Sequence, residues 1–319
     1  MSTLNKNTRI WIALIAVYLI WGSTYLAIRY VVESIPPFIS AGIRFAIAGT
    51  LLYFWRRATG DTPPTRRQWR DTAIIGILLL VGGNGLVAWA EQFVPSGIAA
   101  LLISTVPIWM VLIEFLRPGG EKPSKGAVVG LVLGFVGIVL MIGPGKLSVE
   151  IGKLHPLGLI AIPTASFLWA LGSVYSKSAD LPASSLMTTS AEMLTGSAAL
   201  FIVGAVRGEF GTFEISSVLT TSWIGLVYLI IVGALGGFAA YAYVLRHAPI
   251  SLVSTYAYVN PVIALLLGAA IAQESLDGRT IFSAVVILGA VILITTSRRR
   301  SKQSKPKAGR DPEAKPPSH

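Results

Sequence analysis

Side chains able to do chemistry are few in this chain, and the notable ones sit in otherwise apolar stretches. Arg44 lies within GIRFAIAG, Glu192 within TTSAEMLTG, and Glu91 closes the run GNGLVAWAEQ. A charge among such neighbours is costly, which makes each a functional candidate. Asn84 shares a helical face with Ala88 and Glu91, and Tyr256 stands one turn before Asn260. Pro107 and Pro261 each remove a backbone donor and free the carbonyl one turn back, near Ala257 in the second case, for a polar ligand group. The competing reading is a packed bend closed by Ser104, Ser254 or Thr255. Aromatic residues Trp21, Tyr25, Trp169, Tyr175 and Tyr241 are candidates for a ligand wall, against simple core packing. The amides and rings are thus read as binding residues, and Arg44, Glu91, Glu192, Pro107 and Pro261 as gating or coupling positions.

Bond-making chemistry finds no support in the residue pattern. There is no cysteine, and the three histidines, His155, His247 and His319, lack ligand-like spacing. No phosphate loop, His-Glu-x-x-His run, Ser–His set or paired aspartates occur. The expectation is binding and charge movement, with no catalytic residue, no metal and no cofactor.

The elements that must position these residues are apolar helices. The chain is 53% hydrophobic and 13% charged, with a mean hydropathy of +0.69; a soluble domain carries roughly 25% charged residues. Ten apolar segments are long enough to cross a bilayer. They fall at 10–31, 37–55, 72–93, 96–116 and 125–144, then at 156–176, 184–206, 222–245, 249–272 and 279–297. The first is too long for a signal peptide and lacks a cleavage site, so it is expected to stay as an anchor.

The two sets of five are copies. GGNGLVAWAEQFVPSG returns as GGFAAYAYVLRHAPIS at an offset of 154, aligning Gly82 and Gly83 with Gly236 and Gly237, and Pro107 with Pro261. The first helices align at 148, placing Trp21 on Trp169, Arg29 on Lys177 and Arg44 on Glu192. The extra residues fit between Arg207 and Ser222. The domains expected are a cytoplasmic N-terminus (1–9), a first repeat (10–144), an extracytoplasmic linker (145–155), a second repeat (156–297) and a basic disordered tail (298–319).

With the N-terminus inside, 20 cations face the cytoplasm and 5 face outward. Both ends are then cytoplasmic, and an odd number of helices per copy inserts the copies in opposite senses. Inverted repeats of this kind bind a small molecule near the midplane, where the halves meet. The basic tail enforces topology and gives no reason to expect a nucleic-acid partner. Arg44 and Glu192 both fall near the midplane, so they are expected to pair in at least one state; local capping by Ser40 or Thr188, or a protonated Glu192 carrying a coupled proton, are the alternatives. Glu114 and Arg117 read as a local pair, and Gly130, Gly134 and Gly137 as close helix packing.

The chain resembles the EamA-type exporters of the drug/metabolite transporter superfamily. The likeness rests on WGSTYLAIR (Trp21 to Arg29), Pro36-Pro37 with Arg44-Phe45, the Pro95 to Pro107 helix and its copy from Pro249 to Pro261, and the Glu274 link into a helix carrying Gly289. It covers residues 10–297, and Glu192 departs from the pattern. The resemblance implies an all-α integral membrane fold of ten helices in two inverted five-helix repeats around a central cavity. It also implies transport of small metabolites, often amino acids or drug-like compounds, usually outward; the expectation is plasma-membrane export of amino acids or related compounds by alternating access, with a proton as candidate coupling ion. The alternatives are a channel or facilitator pore for small solutes, although the helices supply few aligned polar residues, and behind it an intramembrane enzyme, for which no catalytic set is visible.

Overall fold

A computed structural model describes residues 5–94, 99, 102–120, 122–143, 156–272 and 278–303. Within these the regular structure is helical. In chain order the main helices are α1 (Lys6–Val32), α2 (Pro37–Ala58), α3 (Arg66–Ala90), α4 (Val106–Leu116), α5 (Lys125–Ile142), α6 (Pro156–Tyr175), α7 (Ser185–Val206), α8 (Thr220–His247), α9 (Tyr256–Ala272) and α10 (Gly278–Gln303). Six of them, α1, α2, α3, α6, α7 and α8, are long and apolar enough to cross a membrane; the other four positions carry shorter apolar helices.

Local chemistry sets the boundaries. Pro36 and Pro37 end the α1 connection, and Pro37 occupies the first turn of α2, where its missing donor costs nothing. Thr65 and Gln68 form a reciprocal cap at the start of α3. Ser124 caps α5, which stops at Gly143 with φ 91°, a left-handed value that suits glycine. The short helix Glu209–Thr212 reaches across to α2, where the Glu209 carboxylate accepts the Phe38 and Ile39 amides at 3.1 and 3.0 Å. A carboxylate on a helix N-terminus meets both free donors and the positive end of the helix dipole.

The halves interlock through exchanged contacts. α1 packs on α8 and α9 of the second half, and α6 packs on α3 and α4 of the first. The repeat-related pairs α2 with α7, and α5 with α10, also pack together. Both α3 and α8 loosen into π-helical turns at Ile77–Gly85 and Leu229–Phe238, the glycine-rich stretches found by repeat alignment. A Cβ on Gly83 would press into the Trp169 ring, and one on Gly237 would press into the Trp21 indole. One step earlier, Gly82 faces Leu168 and Gly236 faces Ile20. All four contacts map onto one another under the offsets of 148 and 154, as two exchanged copies require.

Several expectations need correction. α3 begins at Arg66 rather than 72, and α10 runs to Gln303, so residues 298–303 are helical rather than tail. The proline defects are not alike. In the first half the helix is interrupted at 104–105, beside Pro107, whereas in the second it breaks at Ser254 and Thr255 and then carries Pro261 inside α9. Hydroxyls close both breaks: Thr105 donates to the Leu102 carbonyl, Thr255 to Leu252 and Ser254 to Ser251. This favours the packed-bend reading there. The expected Glu114–Arg117 pair is present at 2.9 Å, and Gly130, Gly134 and Gly137 sit against Ile294, Tyr258 and Ile287. Pro95, Glu274, the 145–155 linker and residues 304–319 lie outside the described residues.

Candidate functional site

At the crossing of α1, α6 and α8 the repeat glycines let two tryptophans approach the pseudo-symmetry axis. Trp21 and Trp169 meet edge to face, with centroids 5.4 Å apart. Phe238, Tyr241 and Tyr256 surround Trp21 at 5.1, 4.9 and 5.2 Å, and Phe45 joins through Phe238 at 5.3 Å. Polar tips are satisfied inside the cluster. The Tyr241 hydroxyl bonds Ser173 at 2.6 Å and accepts from the Trp169 indole at 3.2 Å, while Trp21 donates to the Gly233 carbonyl at 3.4 Å. A ring cluster with its polar atoms paired is rigid and dry.

Two cavities flank this layer. One, with about 600 Å³ of empty space, is lined by Trp21, Tyr25, Asn84, Trp169, Tyr256 and Asn260 with Arg44. Seven positions expected from sequence are thus brought together, from α1, α2, α3, α6 and α9. Tyr25 reaches the Asn260 side chain across it. The other cavity, about 870 Å³, is lined by Ser176, Lys177, Thr188, Glu192, Tyr241 and Arg246 among others. Phe238 borders both. Under the repeat offsets, Ile28, Arg44 and Val87 of the first cavity correspond to Ser176, Glu192 and Tyr241 of the second. The cavities are repeat-related, with opposite charge at equivalent places.

Arg44 and Glu192 do not pair in this conformation. Four ion pairs are present among the described residues, and neither side chain is in one. The Arg44 guanidinium lies over the Phe45 ring at 4.7 Å and 6.0 Å from the Phe238 ring, and its Nε has no hydrogen-bond partner. Gly233 makes room for it: a Cβ there would sit 3.0 Å from a guanidinium nitrogen. Glu192 instead faces Arg246, which also donates to the Pro182 and Ala183 carbonyls. The two charges line different cavities, and Phe238 borders both.

Other expected residues fall elsewhere. Tyr175 turns toward Asp71 and Arg70, away from the central cavity, because six residues, about 600° of helical turn, rotate it off the face that Trp169 occupies. Tyr241 faces the Glu192 cavity rather than the Arg44 one. Glu91 lines a separate pocket with Arg29 and Glu33, and both of its carboxyl oxygens lack a hydrogen-bond partner. Pro107 and Pro261 line neither central cavity. Sequence reasoning missed Phe238, although the 154 offset places it opposite Asn84, and it missed Glu209, which carries no sequence signal because its partners are backbone amides 170 positions away. Among the described residues no cluster of His, Asp and Glu could hold a metal.

Comparison with known proteins agrees with this architecture. The model of the EamA-like transporter family matches residues 8–143 and again 156–296. An uncharacterized inner membrane transporter of Escherichia coli, YedA, is 40% identical over 287 residues, covering 90% of each chain. Protein PecM of Dickeya dadantii is 29% identical over 292 residues, covering 90% of this chain and 93% of its own. A solved crystal structure superposes with a TM-score of 0.73 at 21% identity, covering 92% of this chain and 99% of the other.

Proposed function

The chain belongs to the EamA-like transporter family and is a multi-pass membrane transporter; from that premise we propose that it exports amino acids or related small metabolites by alternating access. The observation that carries this reading is the pair of repeat-related cavities on opposite sides of one aromatic layer. Exchanging the conformations of two inverted repeats closes one cavity and opens its mate, which moves the accessible face from one side to the other. Substrate binds against Trp21, Tyr25, Asn84, Trp169, Tyr256 and Asn260, and the ring layer is the moving barrier. Both termini face the cytoplasm, which puts the Glu192 cavity on the inner side and the Arg44 cavity on the outer.

A proton is the proposed coupling ion, carried by Glu192 or Glu91, each a carboxyl facing a cavity from an apolar helix. The test is a proteoliposome panel of metabolites measuring uptake, saturation and counterflow, with and without a pH gradient. Saturable flux with counterflow is expected. Linear, non-saturating flux would replace the carrier reading with a channel, and conversion of substrate would replace it with an enzyme.

A further inference from the structure

The Arg44 cavity carries an electrostatic asymmetry that constrains its occupant. Arg44 is 4% exposed, and among the described residues no acid lines the cavity with it. Of the other charges in these helices, Glu91 lies near Arg29 in a separate pocket, and Glu192 near Arg246 in the second cavity. Asn260, 1% exposed, lines the same space, and its Oδ1 accepts nothing. A buried guanidinium without a countercharge and a buried acceptor without a donor are both costly, and a ligand that supplies what each lacks removes the cost.

We infer that this cavity is built for a small organic acid of one net negative charge, its carboxylate on Arg44 and a neutral hydroxyl or amide donor on Asn260, with its apolar body against Trp21, Trp169 and Tyr256. Charge balance distinguishes this class from free amino acids. Arg44 with a monoanion is neutral overall, whereas Arg44 with a zwitterion leaves one uncompensated positive charge in a site where no described residue supplies an acid. The planar guanidinium also matches a carboxylate in two-pronged geometry. The inference rests on the transporter reading and narrows it, within amino acids and related compounds, to acids that lack a free ammonium.

The experiment measures binding rather than flux. Tryptophan fluorescence of the purified full-length protein, which has Trp21 and Trp169 in the cavity wall, is titrated with mandelate, mandelamide, phenylglycine and benzylamine. These share a body and differ in charge. Mandelate is expected to bind about tenfold or more tighter than the other three. Arg44→Gln removes the preference of mandelate over mandelamide, and Arg44→Lys, the second variant should Arg44→Gln fail to fold, keeps its sign at reduced size. Phenylglycine binding as tightly as mandelate overturns the inference, as does equal binding of mandelate and mandelamide, chloride displacing mandelate at equal concentration, or no binding by any of the four. Binding of mandelate without any flux in proteoliposomes would sink the transport reading and leave this one standing. Saturable flux that favours phenylglycine would do the reverse.

Discussion

Substituting Gly237 tests the exchanged packing on which the site depends. A Cβ at Gly237 falls against the Trp21 indole nitrogen and lies 2.8 Å from Cδ1, so a rigid, buried ring must shift. Trp21 has little freedom, since Trp169, Phe238, Tyr241 and Tyr256 surround it and its N–H is held by the Gly233 carbonyl. Inserting a methyl into such a core costs about 1–3 kcal/mol. Alanine also gains up to about 1 kcal/mol of helix propensity, which would blur the result taken alone. The neighbour removes that ambiguity: a Cβ on Gly236 meets the flexible end of Ile20 at 3.4 Å, an ordinary contact. Gly237→Ala is therefore expected to be less stable than Gly236→Ala by about 1–3 kcal/mol, a difference of several degrees in Tm. Gly83→Ala, the repeat mate, presses a Cβ 2.5 Å from the Trp169 ring and should fall with Gly237→Ala. The assay is thermal unfolding of the purified protein, followed by flux in proteoliposomes, where both destabilised variants should transport more slowly. Equal Tm values for Gly236→Ala and Gly237→Ala would refute the claim that Trp21 is wedged against the second half.

Three further outcomes are expected. Tyr256→Phe and Asn260→Ala, which remove polar groups from the cavity wall while sparing the ring packing, should weaken substrate affinity roughly five- to 150-fold, and wild-type affinity in both would remove this face from the site. Glu209→Ala should lower stability by about 1–3 kcal/mol, because the Phe38 and Ile39 amides lose a buried acceptor; an unchanged Tm would show that water replaces it. Because the chain has no native cysteine, single cysteines at Thr65 and Gly119 should label only from the cytoplasm and one at Ile151 only from outside; labelling of Thr65 and Ile151 from the same side would end the inverted-repeat topology.

Much of the architecture is legible in the sequence, for a physical reason. A helix in lipid must be apolar along its whole length, so composition alone marks the spans. A duplicated chain must build equivalent contacts twice, which is why Gly83 and Gly237, aligned by a constant offset, both proved to sit under a tryptophan. The gathering of Trp21, Tyr25, Arg44, Asn84, Trp169, Tyr256 and Asn260 in one cavity follows from the same logic, since charges and amides in apolar helices turn inward. Depth along a helix is readable at 1.5 Å per residue, and it put Arg44 and Glu192 at similar levels. What depth cannot give is what stands between two side chains. Only the tertiary structure put the two in separate cavities that meet at Phe238, turned Glu192 toward Arg246 and left Arg44 over Phe45. Packing likewise turned Tyr175 away, moved the α9 break to Ser254 and Thr255, and recruited Glu209 to a distant helix end. Periodicity and composition carry information about a residue and its near neighbours along the chain, whereas these outcomes depend on which side chains from remote segments compete for the same space.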